Sequence, residues 1–165
     1  MDTLSLQDVK ITGGFWAQRL ELNAGEALAH QWQELENSAC IHNFRLAAGQ
    51  AEGFREGWFF ADSDAYKWLD AAARTLAQQP SAELQKQAED FIALLEKAQT
   101  PDGYLYTYNQ LHFPDVRWKN LQLEHECYCL GHLIEAGVSH YAATGEARLL
   151  EIARRAADLL LRDAA

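Results

Sequence analysis

Apolar residues recur at intervals of three and four positions over most of this chain, a spacing that puts them on one face of an α-helix. The pattern predicts five helices, separated by segments that carry glycine or proline. They run over about 18–36, 62–79, 81–99, 120–143 and from 146 to the end of the chain. Only Pro80 separates the second helix from Ser81, the N-cap of the third, so these two are expected to form an antiparallel hairpin. The predicted fold class is all-α.

Short extended segments and turns are expected between the helices. Val9–Trp16 alternates briefly and breaks on two glycines, which predicts an extended arm ending in a turn. Thr100–Gly103 matches a β-turn, and the alternating aromatic segment 104–108 predicts a short hairpin or an extended loop. The segment Asn37–Gly57 is rich in glycine and polar residues, and we interpret it as a long loop at the mouth of a pocket.

The fifth predicted helix has an apolar stripe but no predicted neighbour to cover it. The stripe consists of Leu149, Ile152, Ala153, Ala156, Leu159 and Leu160. No glycine or proline ends this helix before the chain stops at Ala165. We therefore expect a chain that is truncated relative to a longer protein, and an open stripe that favours self-association into a homo-oligomer.

Composition and charge narrow the range of functions. The 165 residues are 48% hydrophobic and 23% charged, which is typical of one globular domain. The 24 acidic and 14 basic residues give a net charge of −10, which disfavours nucleic acid and anionic membranes as partners. No apolar run is long enough to span a membrane, and Met1–Thr3 does not resemble the start of a signal peptide, so we predict a soluble, cytoplasmic protein.

The densest group of chemically versatile residues is the segment 124–132, within the fourth predicted helix. His125, Cys129 and His132 are separated by four and three positions, which places them on one helix face. His125-Glu126 followed by Cys129 differs from the zinc-protease motif His-Glu-x-x-His by its cysteine, and no third ligand follows. A metalloprotease is therefore not predicted, and a local zinc site of His125 and Cys129 is a distant alternative. No phosphate-binding loop or Gly-x-Ser-x-Gly elbow occurs.

Structural roles compete with functional ones for these residues. Taken alone, His132 and Cys129 are interpreted as core residues. His125 is suited to a polyhydroxy ligand, because imidazole donates a hydrogen bond from one nitrogen and accepts one at the other. Asp62 and Asp64 have the chemistry of an acid–base pair, but their position before a helix favours N-capping.

The three cysteines and the five tryptophans add two further expectations. Cys40, Cys127 and Cys129 are an odd number, so no disulfide framework is predicted. Most of the aromatic residues are expected to pack in the core, but Trp58 and Trp118 stand beside glycine or in loops, so we expect these two to line a cleft more readily than Trp68, which lies inside a helix.

Five segments, taken in order, match one known family. They are Gly14-Phe15-Trp16, Asn43-Phe44 with Ala47-Ala48-Gly49, Asp62-Ser63-Asp64-Ala65-Tyr66-Lys67-Trp68-Leu69, Ala98-Gln99 with Asp102-Gly103-Tyr104-Leu105, and His125 to Ala136. The most specific part is the combination of Asp-Ser-Asp-x-Tyr-Lys-Trp with His-Glu-x-Tyr-x-x-Gly-His. In these segments the chain resembles glycoside hydrolase family 127, the β-L-arabinofuranosidases.

The resemblance implies an α/α toroid of paired helices with a sugar pocket at one end. It also implies retaining hydrolysis of β-L-arabinofuranosides or related plant-type glycosides by a zinc-bound cysteine nucleophile and a glutamate acid/base. In the family those groups and the zinc ligands lie beyond the region matched here, so no catalytic residue and no bound metal are expected in 1–165. The residue that carries over is His125, which contacts the sugar, with His132 and Glu126 as its neighbours.

Two interpretations follow from this resemblance. Residues 1–165 are either the N-terminal portion of a glycosidase catalytic domain, inactive alone, or a non-catalytic helical binding module that presents a cleft to a partner. A reading frame that continues past Ala165 into a cysteine-rich segment supports the first interpretation, and a natural stop codon supports the second.

Overall fold

A computed structural model of the protein describes residues 4–164, and the predictions that rest on Met1–Thr3 and Ala165 lie outside the described residues. Within that range the chain is helical and contains no β-strand, which confirms the all-α fold class. The helices are α1 (Gly14–Leu22), α2 (Leu28–Asn37), α3 (Cys40–Ala47), α4 (Asp62–Gln78), α5 (Ala82–Ala98), α6 (Thr107–His112), α7 (Glu126–Thr144) and α8 (Arg148–Ala164). No helix among these is long and apolar enough to cross a membrane.

The first predicted helix begins earlier than its apolar spacing indicates. The chain is helical from Gly14 to Asn37, because a π-helical turn at Asn23–Ala27 joins α1 to α2. The predicted extended arm therefore ends at Gly13. In the wider turn, the Asn23 side-chain amide donates a hydrogen bond to the Thr75 hydroxyl at 3.1 Å and so links this helix to α4.

Two segments predicted to be irregular contain helices. The predicted loop Asn37–Gly57 includes α3, whose Phe44 side chain is completely buried. The aromatic segment 104–108 forms no hairpin and leads into the short helix α6. Burial of their aromatic side chains, rather than local spacing, accounts for both differences. The β-turn before this segment is confirmed by the 2.9 Å hydrogen bond from the Gly103 amide to the Thr100 carbonyl.

The long helices form pairs around one core. Three residues join α4 to α5 and the two helices are in contact, as the predicted hairpin requires, while α7 and α8 form a second pair. The helices α4 and α7 pack along each other in parallel. Lys67 lies over the ring of Tyr128, and about two turns later in both helices Arg74 lies 3.9 Å from Glu135.

An aromatic cluster fills the space between these pairs and the first two helical segments. The rings of Trp32 and Trp68 are 4.5 Å apart, and Phe44 meets Phe91 at 5.4 Å. The indole N–H of Trp68 donates to the Leu28 carbonyl at 2.9 Å. Trp68 is therefore a core residue, and its one polar group is hydrogen-bonded, as is usual for a buried indole.

The fourth predicted helix begins later than expected. Residues 120–125 are not helical, and α7 starts at Glu126 with His125 as its N-cap in the left-handed conformation, at φ +56°. The expectation that His125 shares a helix face with Cys129 and His132 is therefore wrong. The end of this helix agrees with the prediction, because Gly145 caps it at φ +77°.

The apolar stripe of α8 is covered, contrary to the expectation from sequence. Leu149, Ile152 and Leu159 are buried, chiefly by packing on α7. The two helices approach closely at Gly137, where an added Cβ would lie 3.0 Å from the Cβ of Ala153. Because α7 covers this stripe, the stripe gives no argument for self-association.

Candidate functional site

The N-terminal ends of α4 and α7 lie side by side, because the two helices run in parallel. The loop that leads into α4 passes directly over the start of α7, where the Cys129 sulfur lies 3.7 Å from the Phe60 carbonyl. The rings of Phe59 and Phe60 stand 5.1 and 5.8 Å from the ring of His125. This end of the helix pair therefore brings the best sequence-predicted site residue together with a set of aromatic rings.

A buried carboxylate secures the base of the site. Asp62 is fully buried in the first turn of α4 and accepts hydrogen bonds from the backbone N–H and the hydroxyl of Thr107, both at 2.6 Å. The interpretation of Asp62 as a helix cap is wrong, since Ala61 is the N-cap and no side chain caps this helix. Burial raises the pKa of Asp62, although the hydrogen bonds from Thr107 and the charge of Arg55 act in the opposite direction.

Arg55 connects this carboxylate to the loop before α4. Its guanidinium is buried 4.0 Å from Asp62 and donates to the carbonyls of Gly57 and Trp58 at 2.8 and 2.7 Å. It also lies 5.0 Å from the centre of the Tyr108 ring. The sequence patterns did not indicate Arg55 or Thr107, because the segment Asn37–Gly57 contains two arginines and no local spacing distinguishes them. Together these groups fix the backbone that presents the aromatic residues 58–60.

His125 is the exposed polar group of the site. Its Nδ1 lies 2.9 Å from the Leu123 carbonyl, which accepts hydrogen bonds only, so Nδ1 carries the proton. In the neutral ring Nε2 is then an acceptor. Phe59, Phe60 and Tyr128 surround the imidazole with ring-to-ring distances of 5.1 to 5.8 Å. The arrangement combines a fixed hydrogen-bonding group with apolar walls, as in sites for small polar ligands.

His132 lies on α7, one turn beyond Tyr128. It is 24% exposed, its ring meets that of Tyr128 edge-on at 4.6 Å, and its Nδ1 lies 3.4 Å from a Glu135 oxygen. Lys67 of α4 covers the same Tyr128 ring at 5.0 Å. Tyr128 thus stands between the two histidines and connects them into one surface.

Glu126 is placed differently from the two histidines. It is 2% exposed, and its carboxylate accepts hydrogen bonds from the Tyr104 hydroxyl and from the Trp118 backbone N–H, the latter at 3.0 Å. Trp118 itself is half-buried, with its indole N–H bonded to Asp163 at 2.9 Å. The carboxylate of Glu126 therefore holds the segment before α7 in place and fixes the backbone on which His125 stands.

The side chains that the structure describes do not fit a zinc site. Within 4–164, no three side chains of histidine, cysteine, aspartate or glutamate converge as metal ligands. Cys40 and Cys129 are buried, and burial raises the pKa of both thiols far above its usual value, which keeps them protonated. Cys127 is exposed, but its pKa is also raised by partial burial and the charge of Glu126. These shifts disfavour a thiolate nucleophile at Cys40, Cys127 and Cys129.

Comparisons with known proteins agree with this fold. The family model for the GH127 catalytic domain of β-L-arabinofuranosidases matches residues 8–164. A non-reducing end β-L-arabinofuranosidase of Bifidobacterium longum subsp. longum is 33% identical, over 93% of this chain and 27% of its own length. The chain thus spans about a quarter of the length of this relative.

Solved structures show the same relationship. A GH127 β-L-arabinofuranosidase from Geobacillus stearothermophilus T6 superposes with a TM-score of 0.90 at 43% identity, covering 92% of this chain and 25% of that one. A second GH127 β-arabinofuranosidase superposes with a TM-score of 0.88 at 35% identity, covering 98% and 27%. Because the family model spans nearly every residue and the helices superpose in the same order, this chain belongs to glycoside hydrolase family 127, as a segment of its catalytic domain.

Proposed function

We propose that residues 1–165 are the N-terminal portion of an α/α-toroid catalytic domain that hydrolyses β-L-arabinofuranosides or related plant-type glycosides. The parallel pair of α4 and α7, each with an antiparallel partner, supports this proposal, because such pairs repeat around a toroid. The names of the relatives support the choice of sugar. A cytoplasmic location stays a prediction from the sequence.

The observation that carries the proposal is the fixed orientation of His125 among aromatic rings. With Nδ1 held by the Leu123 carbonyl, Nε2 accepts a hydrogen bond from a sugar hydroxyl, while the rings of Phe59 and Tyr128 contact its apolar C–H groups. His132 extends the same surface through Tyr128. Glu126 acts as a positioning residue, since its carboxylate secures the Trp118 backbone before α7.

Bond cleavage requires groups that the buried cysteines and buried carboxylates described above do not supply. Retaining glycosidases need a nucleophile and an acid/base on opposite sides of the glycosidic bond. Here the thiols of Cys40 and Cys129 are buried and protonated, and the carboxylates of Asp62 and Glu126 are engaged in hydrogen bonds inside the fold. The zinc, the cysteine nucleophile and the glutamate acid/base implied by the family would come from other residues of a longer polypeptide. This chain alone would then bind the sugar without hydrolysing it.

A binding titration tests this proposal. We expect methyl β-L-arabinofuranoside to shift the amide NMR signals around His125 and Tyr128 in the 165-residue chain. Removing the acceptor nitrogen by His125→Ala should weaken binding about fivefold to tenfold, the effect of one lost hydrogen bond. His30→Ala, an exposed histidine of α2, is the matched control and should leave the affinity unchanged.

Two results would contradict the proposal. Unchanged affinity in His125→Ala would remove this residue from the site. Turnover of an arabinofuranoside by the 165-residue chain would show that the chain holds its own catalytic groups.

A further inference from the structure

We propose that Trp58 is the platform for the second sugar unit of the substrate, the unit linked to the terminal arabinofuranosyl residue at His125. This inference rests on the proposed function and extends it from a single sugar to an oligosaccharide. It assigns Trp58 the role of a specificity-determining residue, which neither bears the reacting groups nor supports the fold.

The first observation is that Trp58 is exposed on a rigid backbone. Its side chain is 70% exposed, whereas Trp68 in the core is 2% exposed. An indole left in water keeps a large apolar surface free to bind a partner. The loop around it is firmly held, because the buried Arg55 binds the carbonyls of both Gly57 and Trp58.

The second observation is the orientation of the indole relative to the site. Its plane is parallel to the Phe60 ring within 2°, with the ring centres 6.2 Å apart, and the Phe60 ring centre lies 5.8 Å from that of His125. Phe60 therefore stands between the two residues, and Trp58 lies one ring further from the imidazole. The indole is therefore placed for a sugar unit linked to the one bound at His125.

The chemistry of the indole fits a sugar ring better than a charged ligand. The flat, electron-rich face of tryptophan packs against the C–H groups on the apolar face of a sugar. The nearest cation on this loop, Arg55, is buried against Asp62 and is not available to bind an anion from solvent. The Bifidobacterium longum relative is named for action at the non-reducing end, which leaves the rest of such a substrate outside the pocket of the terminal sugar. Trp58 is placed to receive that remainder.

The test compares two probes on the 165-residue chain. One probe is methyl β-L-arabinofuranoside, and the other is an arabinose disaccharide with a β-L-arabinofuranosyl unit at its non-reducing end. NMR titration gives the affinity of each probe for the wild type and for Trp58→Ala, Trp58→Phe and Trp16→Ala. Trp16 is a matched control, because it is 65% exposed and lies on α1.

We expect Trp58→Ala to weaken disaccharide binding about fivefold and to change the affinity for the monosaccharide less than twofold. Trp58→Phe should retain most of the disaccharide affinity, since it keeps an aromatic face, and Trp16→Ala should retain all of it. Equal affinities of wild type and Trp58→Ala for the disaccharide would overturn the inference. An equal loss for both probes would overturn it too, because Trp58 would then act on the terminal sugar.

Failure of the proposed function gives a different result. If the wild type binds neither probe, the sugar site itself is wrong and the inference falls with it. If the wild type binds both probes and His125→Ala weakens both, the proposed function stands whatever the result for Trp58. If the chain binds neither sugar but binds an apolar peptide at the exposed indole, the loop is a protein-binding surface instead.

Discussion

Replacing Asp62 by alanine should be among the most damaging single changes in this chain. The carboxylate is completely buried, and it is the acceptor for both the N–H and the hydroxyl of Thr107, itself completely buried. Arg55, 4.0 Å away, is held by two carbonyls but has no other anion within ion-pair distance among the described residues. The change to alanine removes the acceptor, the charge and most of the side-chain volume at once.

The expected loss follows from these contacts. Removing one partner of a buried ion pair destabilises a protein by about 3–5 kcal/mol, because the other charge and its donors stay buried without a partner. This is a large share of the roughly 5–15 kcal/mol by which a domain of this size is stable. Asp62→Asn keeps the shape and one acceptor oxygen for Thr107, but it still leaves the Arg55 charge without an anionic partner, so we expect a smaller loss than for alanine, about 2 kcal/mol.

The pH dependence separates these two variants further. Burial raises the pKa of Asp62 above its value in the unfolded chain, so the folded protein holds this proton more tightly. The resulting contribution to stability is fully present below the unfolded pKa of about 3.9 and is lost as the pH rises through the folded pKa. The wild type should therefore be more stable relative to Asp62→Asn near pH 4 than at pH 7.

Urea unfolding followed by circular dichroism measures these differences, and hydrogen exchange of the Thr107 amide reports on the site itself. Asp70→Ala on the same helix is the control, because Asp70 forms a solvent-accessible pair with Arg74 and should contribute less than about 1 kcal/mol. A loss below about 1 kcal/mol in Asp62→Ala, with the Thr107 amide still protected, would refute the assignment of Asp62 as the anchor of the site.

Two further predictions concern the helix contact and the surface charge. Gly137→Ala should destabilise the protein by about 1–3 kcal/mol, because the added Cβ would lie 3.0 Å from the Cβ of Ala153. Gly131→Ala is the control: an added Cβ there has nothing within 4 Å, so this change should stabilise α7 by up to about 1 kcal/mol. Equal melting temperatures of the two variants would disprove the close contact at Gly137. Partial burial acts to raise the pKa of Asp102, but hydrogen bonds from Arg117 and Thr100 lower it to about 2. Its contribution to stability is therefore present above pH 4 and lost as the pH falls towards 2. Arg117→Gln should make urea midpoints less sensitive to acid over that range, and an unchanged acid profile, as expected for the exposed Arg154→Gln, would contradict this.

The placement of the site depends on contacts between residues far apart in the chain. Asp62 and Thr107 are 45 positions apart, and Glu126 accepts from Tyr104 across 22 positions. Each pair links the segment 104–107 to the first turn of one of the two parallel helices. Because both helices begin at the same end of the molecule, these contacts place the loop rings and His125 together.

Local sequence patterns were enough to predict several of the helices. The apolar residues of α4, α5 and α8 recur every three or four positions, and their main-chain hydrogen bonds are made within the helix, so their existence was predictable. Ser81 at the start of α5 and Gly145 at the end of α7 cap these helices by interactions within one turn. The family was also evident from short motifs along the chain.

Only the tertiary structure decided the details of the site. An exposed aspartate at the start of a helix can cap the helix, but Asp62 is buried against Thr107 and Arg55. Because a buried carboxylate must be hydrogen-bonded or paired, its contacts with Thr107 and Arg55 are favoured over capping. His125 would continue a helix by its spacing, yet buried hydrogen bonds to Glu126 hold the preceding segment out of helical geometry. Spacing along the chain determines which residues can share a helix face, whereas the partner of a buried polar group depends on which distant segment packs against it.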